Sequence, residues 1–190
     1  MSKFRVYYIL FFFLLMNCSD SEKSSFEVFY KACLGRAGAC PGGSTTTHQI
    51  TQDTGTLTCR IMRRENYYYL TFNVYDQKEG GSISATELEF EFTQGVQTTV
   101  TSCIEGGIKF EEGGNSYETN KCTIGDPASG ECKVELNIYR DQNLGEVVEG
   151  RFYCNEIPIN GAGDIYLTTT GDPGSFTFIN SCRLPEGMLK

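Results

Sequence analysis

The chain has 190 residues, which is enough for one domain with a substantial core. Its 24 acidic residues against 16 lysines and arginines give a formal net charge of −8 at pH 7, and a chain this acidic repels nucleic acid and other polyanions. It has one histidine and no recognisable catalytic or metal-ligand motif, so we predict that it is not an enzyme and needs no cofactor or metal.

The amino terminus has the pattern of an export signal. A positively charged start precedes an unbroken apolar stretch over 6–16, which is too short to span a bilayer. Cys18 follows, and no small residue stands before it to form an ordinary cleavage site. We therefore predict a signal peptide over 1–17, lipid attachment at Cys18 and a polar tether over 18–25. The alternative is an ordinary leader or an uncleaved anchor in which the cysteine is incidental.

The residues before Cys18 also carry a resemblance. Leu15 stands where a bacterial lipobox has leucine, and Met16 and Asn17 replace the usual small residues. This relaxed signal resembles those of spirochaete lipoproteins. The resemblance implies acylation of Cys18 with fatty acids such as palmitate and attachment to a bacterial outer membrane, by a domain of unassigned function.

One helical pattern opens the folded part of the chain. Apolar residues recur there at helical spacing: Phe26, Phe29, Tyr30, Cys33 and Leu34. Ser24 and Glu27 have the spacing of a capping box, and Gly35 supplies a stop. We predict a short helix over 25–34, at the start of a single β domain over 26–190.

His48 and a group of acidic residues are the polar candidates for chemistry. His48 lies in a threonine-rich stretch that we interpret as a solvated loop. The acidic residues, which could hold general acid–base carboxylates or calcium, are interpreted as a solvated face: Glu105, Glu111, Glu112 and Glu118.

From residue 57 the apolar period becomes two, which is typical of half-buried strands. The clearest runs are 57–61, 68–74 and 88–92. Paired glycines between the runs supply turns, and no β-α-β alternation appears. We predict an all-β fold, an antiparallel β-sandwich stapled by disulfides, with the short amino-terminal helix.

Three tyrosines share one face of the predicted strand over 68–74: Tyr67, Tyr69 and Tyr75. Tyrosines on an exposed strand face can bind proteins or glycans, because each offers apolar area and a hydroxyl. They can equally contact a second layer or pack against the amino-terminal helix. We name them as the candidate binding residues.

The eight cysteines after Cys18 predict four disulfides. They are Cys33, Cys40, Cys59, Cys103, Cys122, Cys132, Cys154 and Cys182. Proximity in sequence favours Cys33 with Cys40 and Cys103 with Cys122. The remaining connectivity stays open.

A hairpin can be registered over 132–154. Folding it about Asn143 matches three pairs of side chains: Val134 with Phe152, Ile138 with Val148, and Glu135 with Arg151. Cys132 then lies opposite Cys154. We expect either a disulfide between them or two neighbouring bridges into the facing sheet.

A last hairpin is predicted between 165–170 and 175–180, turning at 171–174. The G-x-F patterns at 150–152 and 174–176 are similar to paired strands that end many small β-sandwich lipoproteins of Gram-negative envelopes. Such families mostly lack an assigned activity, so this resemblance implies a fold and not a function.

The expected function is that of a non-enzymatic binding or interaction module at the cell surface, attached to the membrane by its lipid. Its expected ligand is a protein or a glycan, and not nucleic acid. The second expectation is a periplasm-facing structural or assembly-accessory lipoprotein.

Overall fold

A computed structural model describes residues 23–36, 38, 40, 44–103, 107–119, 121–159, 166–169 and 173–189. The predicted signal peptide and Cys18 lie outside these residues. Within them, no helix is long and apolar enough to cross a membrane.

The described residues form fourteen strands. Their bounds are β1 (Ser25–Gly35), β2 (Ser44–Thr51), β3 (Gly55–Arg64), β4 (Tyr67–Asp76), β5 (Ser82–Phe90), β6 (Thr98–Thr99), β7 (Ser102–Cys103), β8 (Ile108–Glu112), β9 (Asn115–Thr119), β10 (Glu131–Asp141), β11 (Gly145–Asn155), β12 (Ile157–Pro158), β13 (Tyr166–Thr169) and β14 (Gly174–Ile179).

The strands form two antiparallel sheets that pack face to face. Sheet I has the hydrogen-bonded order β12–β13–β1–β14–β11–β10–β6, with β2 on β1. Sheet II has the order β3–β4–β5–β8–β9, with β7 on β5. Aromatic rings of the two sheets meet in the core, as where Phe72 lies 5.2 Å from Phe176 between ring centroids. The predicted all-β class is confirmed.

The predicted helix over 25–34 is wrong, because these residues form strand β1. Val28, Tyr30 and Ala32 alternate toward the core, and both edges of β1 are paired, one with β2 and the other with β13 and β14. Aromatic and β-branched residues suit a strand, and pairing with distant segments outweighs the local helical pattern.

The hairpin of β10 and β11 is confirmed in register. Cys132 pairs with Cys154 and forms a disulfide with it, while Glu135 lies opposite Arg151 in the strand register. The turn at 142–144 joins the strands as predicted. The cross-strand disulfide, rather than two bridges into the facing sheet, is the correct alternative.

Three further disulfides complete the set. Both pairs favoured by proximity form, Cys33 with Cys40 and Cys103 with Cys122. The fourth bond joins Cys59 on β3 to Cys182, 123 residues away. It fastens the end of the chain to sheet II.

The predicted last hairpin is wrong. β14 pairs with β1 and β11, and β13 pairs with β1 and β12. β13 and β14 therefore follow one another along the same edge of β1 instead of pairing with each other. Their edges are already occupied by partners elsewhere in the sheet.

The two G-x-F patterns form reciprocal cross-strand pairs. Gly150 pairs with Phe176 and Gly174 pairs with Phe152. A Cβ at Gly150 would lie 2.4 Å from the Phe176 ring, and one at Gly174 would lie 2.3 Å from the Phe152 ring. Each phenylalanine thus covers the glycine opposite it, which a larger residue would prevent.

Candidate functional site

His48 is not in a solvated loop. It lies on strand β2 and is only 1% exposed. Every second residue of β2 near it faces inward, so His48 and Ile50 share the core side while Thr47 and Gln49 are exposed. This stretch is polar because β2 is an edge strand whose outward-facing side chains are exposed to water.

The imidazole of His48 lies between two carboxylates in the core. Its Nδ1 is 3.1 Å from Asp76 Oδ2, and its Nε2 is 2.7 Å from Glu112 Oε2. Asp76 ends β4 and Glu112 ends β8, and both are buried. Glu112 is therefore not part of a solvated acidic face, although its neighbour Glu111 is exposed. We call His48, Asp76 and Glu112 the buried cluster.

With Asp76 and Glu112 both ionised, the geometry of the buried cluster requires a protonated histidine. A neutral imidazole carries one N–H, so donation to both carboxylates needs the imidazolium form. Burial by itself would lower the pKa of His48, but hydrogen bonds with Glu112 and Asp76, and the charges of both carboxylates, raise it above 6.5. One positive charge thus faces two negative charges.

The two carboxylates are held in their charged forms. Burial by itself would raise the pKa of Asp76, but the His48 hydrogen bond and the backbone N–H groups of Lys78 and Glu79 lower it. The His48 hydrogen bond and charge likewise lower the pKa of Glu112 against the effect of its burial. Hydrogen-bond donors and the positive charge of His48, all from the protein itself, therefore stabilise both carboxylates.

Tyr30 and Gly81 close the space around the imidazole. The Tyr30 ring stacks on it with centroids 4.7 Å apart. A Cβ at Gly81 would lie 2.8 Å from His48 Cε1, so the backbone approaches the ring as only glycine allows. Burial and the charges of Glu112 and Asp76 raise the pKa of Tyr30, which keeps the phenol protonated.

The buried cluster connects the two sheets. His48 belongs to sheet I, whereas Asp76 and Glu112 belong to sheet II. The three side chains are inaccessible to a substrate, and in the described residues no group of His, Cys, Asp or Glu is arranged to hold a metal ion. The chemistry that this geometry supports is a hydrogen-bonded ionic link across the core.

A sequence signal for the buried cluster exists. Each member occupies the next inward position of an alternating strand: His48 precedes Ile50 by two residues, Asp76 follows Val74 by two, and Glu112 follows Phe110 by two. Continuing the period-two pattern into the polar residues places all three side chains in the core.

The three candidate tyrosines lie on the outer face of sheet II, but they do not form one patch. Tyr67 and Tyr75 are 38% and 45% exposed, and they lie eight residues apart on β4, roughly 26 Å. Tyr69 is only 8% exposed, since Arg64 stacks on its ring at 4.9 Å and its hydroxyl donates to Glu89.

Arginine and tyrosine side chains gather at the β3–β4 hairpin instead. On the outer face of sheet II, Arg64 covers Tyr69 next to the exposed ring of Tyr67. Arg63 lies over the ring of Tyr68 at 5.8 Å on the other face, where Tyr68 packs on the core. These five residues, which we call the hairpin tip, flank the turn at 65–66.

The chain matches no protein-family model, and neither a curated protein nor a solved structure matches it significantly. Its function must therefore be inferred from its own residues.

Proposed function

We propose that this chain is a lipid-anchored envelope protein that binds a protein partner through the hairpin tip, without catalysis. The observation that carries the proposal is the exposed ring of Tyr67 beside Arg64, which is already held in place by stacking on Tyr69. Tyrosine and arginine are enriched where binding energy concentrates in protein interfaces.

The stacking favours binding because it lowers the entropy lost on association. Arg64 is fixed on Tyr69 and forms an ion pair with Glu87, so its side chain is ordered before a partner arrives. Arg63 lies over Tyr68 and donates to the Glu65 carbonyl oxygen.

The cysteines support the location. Four disulfides suggest an extracytoplasmic protein, because such bonds persist in oxidising compartments. The predicted signal peptide and lipidated Cys18 add the membrane anchor. The second candidate, a periplasm-facing accessory of envelope assembly, uses the same anchor with the domain facing inward.

Labelling of intact cells with a membrane-impermeant lysine reagent, with lysed cells as the control, tests the location. Strong labelling of intact cells is the expected result. Labelling only after lysis would contradict surface exposure and favour the periplasm-facing alternative. Protease protection is a poorer test, because a disulfide-rich β fold resists cleavage even when exposed.

Tyr67→Ala tests the hairpin tip, and Tyr75→Ala is its matched control on the same strand and face. A photocrosslinker at Asn66 in cells identifies the partner, and binding is then measured with the full chain. We expect Tyr67→Ala to weaken binding about 10- to 30-fold and Tyr75→Ala to leave it unchanged. Equal effects of the two variants, or no effect of either, would reject the hairpin tip as the site.

A further inference from the structure

The outer face of sheet I holds a groove of about 600 Å³, on the opposite side of the molecule's core from the hairpin tip. Its floor is backbone, because Leu136 and Phe176 turn their side chains into the core and Gly150 has none. Ser175 and Thr177 of β14 have short side chains, so they do not fill the groove. Longer side chains of β10 and β11, with Gln97, form the rest of the lining.

Several polar groups of the groove have capacity to bind a ligand. With the other described residues, the side chains of Arg151, Ser175 and Thr177 form no hydrogen bond or ion pair. The amides of Gln97 and Asn137 donate to Glu135 and Glu149, at 3.4 and 2.9 Å, and their carbonyl oxygens remain as acceptors. Donors and acceptors therefore converge on one concave surface.

Two glutamates and one arginine line the groove, and Lys133 of the adjoining depression brings the local charges close to balance, unlike those of the chain as a whole. Glu135 pairs with Lys133 at 2.8 Å, and Glu149 accepts from Asn137 and Tyr139. Arg151 supplies a further positive charge between the two glutamates. Strongly charged ligands of either sign thus find no matching surface.

An aromatic platform adjoins the groove. A smaller depression of about 230 Å³ shares Glu135 and Arg151 with it and is lined by Tyr153, Pro127 and Pro173. Tyr153 is 36% exposed and lines this depression, so part of its ring is available. Along β11 the row from Glu149 to Tyr153 spans roughly 13 Å.

We propose that this groove binds a neutral linear oligosaccharide. Hydroxyl, amide and guanidinium groups can exchange hydrogen bonds with sugar hydroxyls, and the ring of Tyr153 can cover the apolar face of a sugar ring. An extended peptide fits less well, because the backbone floor offers no pockets for alternate apolar side chains. The site is separate from the hairpin tip, so neither proposal depends on the other.

Immobilised neutral tetrasaccharides of glucose, mannose, galactose and N-acetylglucosamine, with sialylated and sulfated oligosaccharides for comparison, provide the test. The full-length protein in detergent is the analyte. Thr177→Trp fills the groove, and Thr58→Trp places the same ring on the outer face of sheet II as the matched control. Arg151→Ala removes a ligand-binding group without adding bulk, and serves if Thr177→Trp fails to fold.

We expect at least one neutral tetrasaccharide to bind, with a tenfold or greater loss for Thr177→Trp, a several-fold loss for Arg151→Ala and no loss for Thr58→Trp or Tyr67→Ala. The proposal is overturned if no neutral saccharide binds at millimolar concentration, if only charged saccharides bind, or if the groove variants and Thr58→Trp behave alike. Loss with Tyr67→Ala alone would assign the binding to the hairpin tip and reject the groove.

Discussion

The buried cluster and the hairpin tip use charged residues in opposite ways. In the cluster, both ring nitrogens of His48 form hydrogen bonds, one with Asp76 and one with Glu112. Tyr30 and Gly81 pack against the ring. At the hairpin tip, the arginines stack on tyrosines at the surface and Tyr67 stays exposed.

The difference teaches that residue type alone does not locate function. Histidine with two carboxylates is a combination that enzymes use, yet here every polar atom of the ring is already satisfied inside the core. At the hairpin tip, by contrast, the exposed ring of Tyr67 and the exposed guanidinium group of Arg64 can reach another molecule. Accessibility therefore distinguishes the structural link from the proposed binding surface.

The largest effect is expected from His48→Ala. Removing the imidazole leaves Asp76 and Glu112 buried together without a counter-charge, which should lower the free energy of unfolding by about 3–5 kcal/mol. Urea unfolding with the disulfides intact measures it. Thr47→Ala, an exposed neighbour on the same strand, is the control and should change stability by less than about 0.5 kcal/mol.

A double mutant separates the ionic link from simple loss of packing. Glu112→Gln removes one of the two negative charges, so His48→Ala combined with Glu112→Gln should cost less than the sum of the single changes. Strict additivity would mean that His48 acts only as a space-filling ring, and the contrast with the hairpin tip would lose its basis.

The pH dependence of stability is the next largest effect. The contribution of Asp76 and Glu112, whose pKa values are lowered, is present above their usual values of 3.8 and 4.5 and is lost as pH falls through the lowered values. The contribution of His48, whose pKa is raised, is present below 6.5 and is lost as pH rises through the raised value. The buried cluster should therefore stabilise the fold most between pH 4.5 and pH 6.5.

Unfolding midpoints of the wild type and His48→Gln across pH measure this contribution. The difference between the two unfolding midpoints should be largest between pH 4.5 and 6.5 and smaller at lower and higher pH. A gap that stays constant from acid to alkaline pH would show that the imidazolium form plays no part.

The smallest effect on stability is expected at the hairpin tip. Tyr67→Ala and Tyr75→Ala remove exposed rings, so each should change the free energy of unfolding by less than about 0.5 kcal/mol. Thermal unfolding compares them with the wild type. A loss of more than about 1 kcal/mol for Tyr67→Ala would mean that the tip supports the fold, and would weaken its interpretation as a binding surface.

Local patterns predicted the parts of the fold that local contacts determine. The hairpin of β10 and β11 could be registered because its pairs are close in the chain and its charges, apolar residues and cysteines agree. The helix over 25–34 was wrongly predicted because β1 takes its partners from distant segments, including β14, about 150 residues away. No short window of sequence contains that information.

The candidate site was less predictable than the fold. The composition around His48 is polar, and the carboxylates that hold it lie 28 and 64 residues away on another sheet. The three tyrosines were correctly grouped on the face opposite Leu70, Phe72 and Val74, but the distance along β4 and the stacking of Arg64 on Tyr69 emerge only in three dimensions.

The disulfide between Cys59 and Cys182 also helps to cover the β3 edge of sheet II. β3 is a border strand of sheet II, and the segment at Arg183 lies along it, with hydrogen bonds from Ile61 N to Arg183 O at 2.8 Å and from Arg183 N to Cys59 O at 3.1 Å. The chain's own end thus occupies backbone groups that a strand of a second copy would otherwise pair with. We expect reduction of this bond to loosen the cover, and so to promote self-association as well as unfolding.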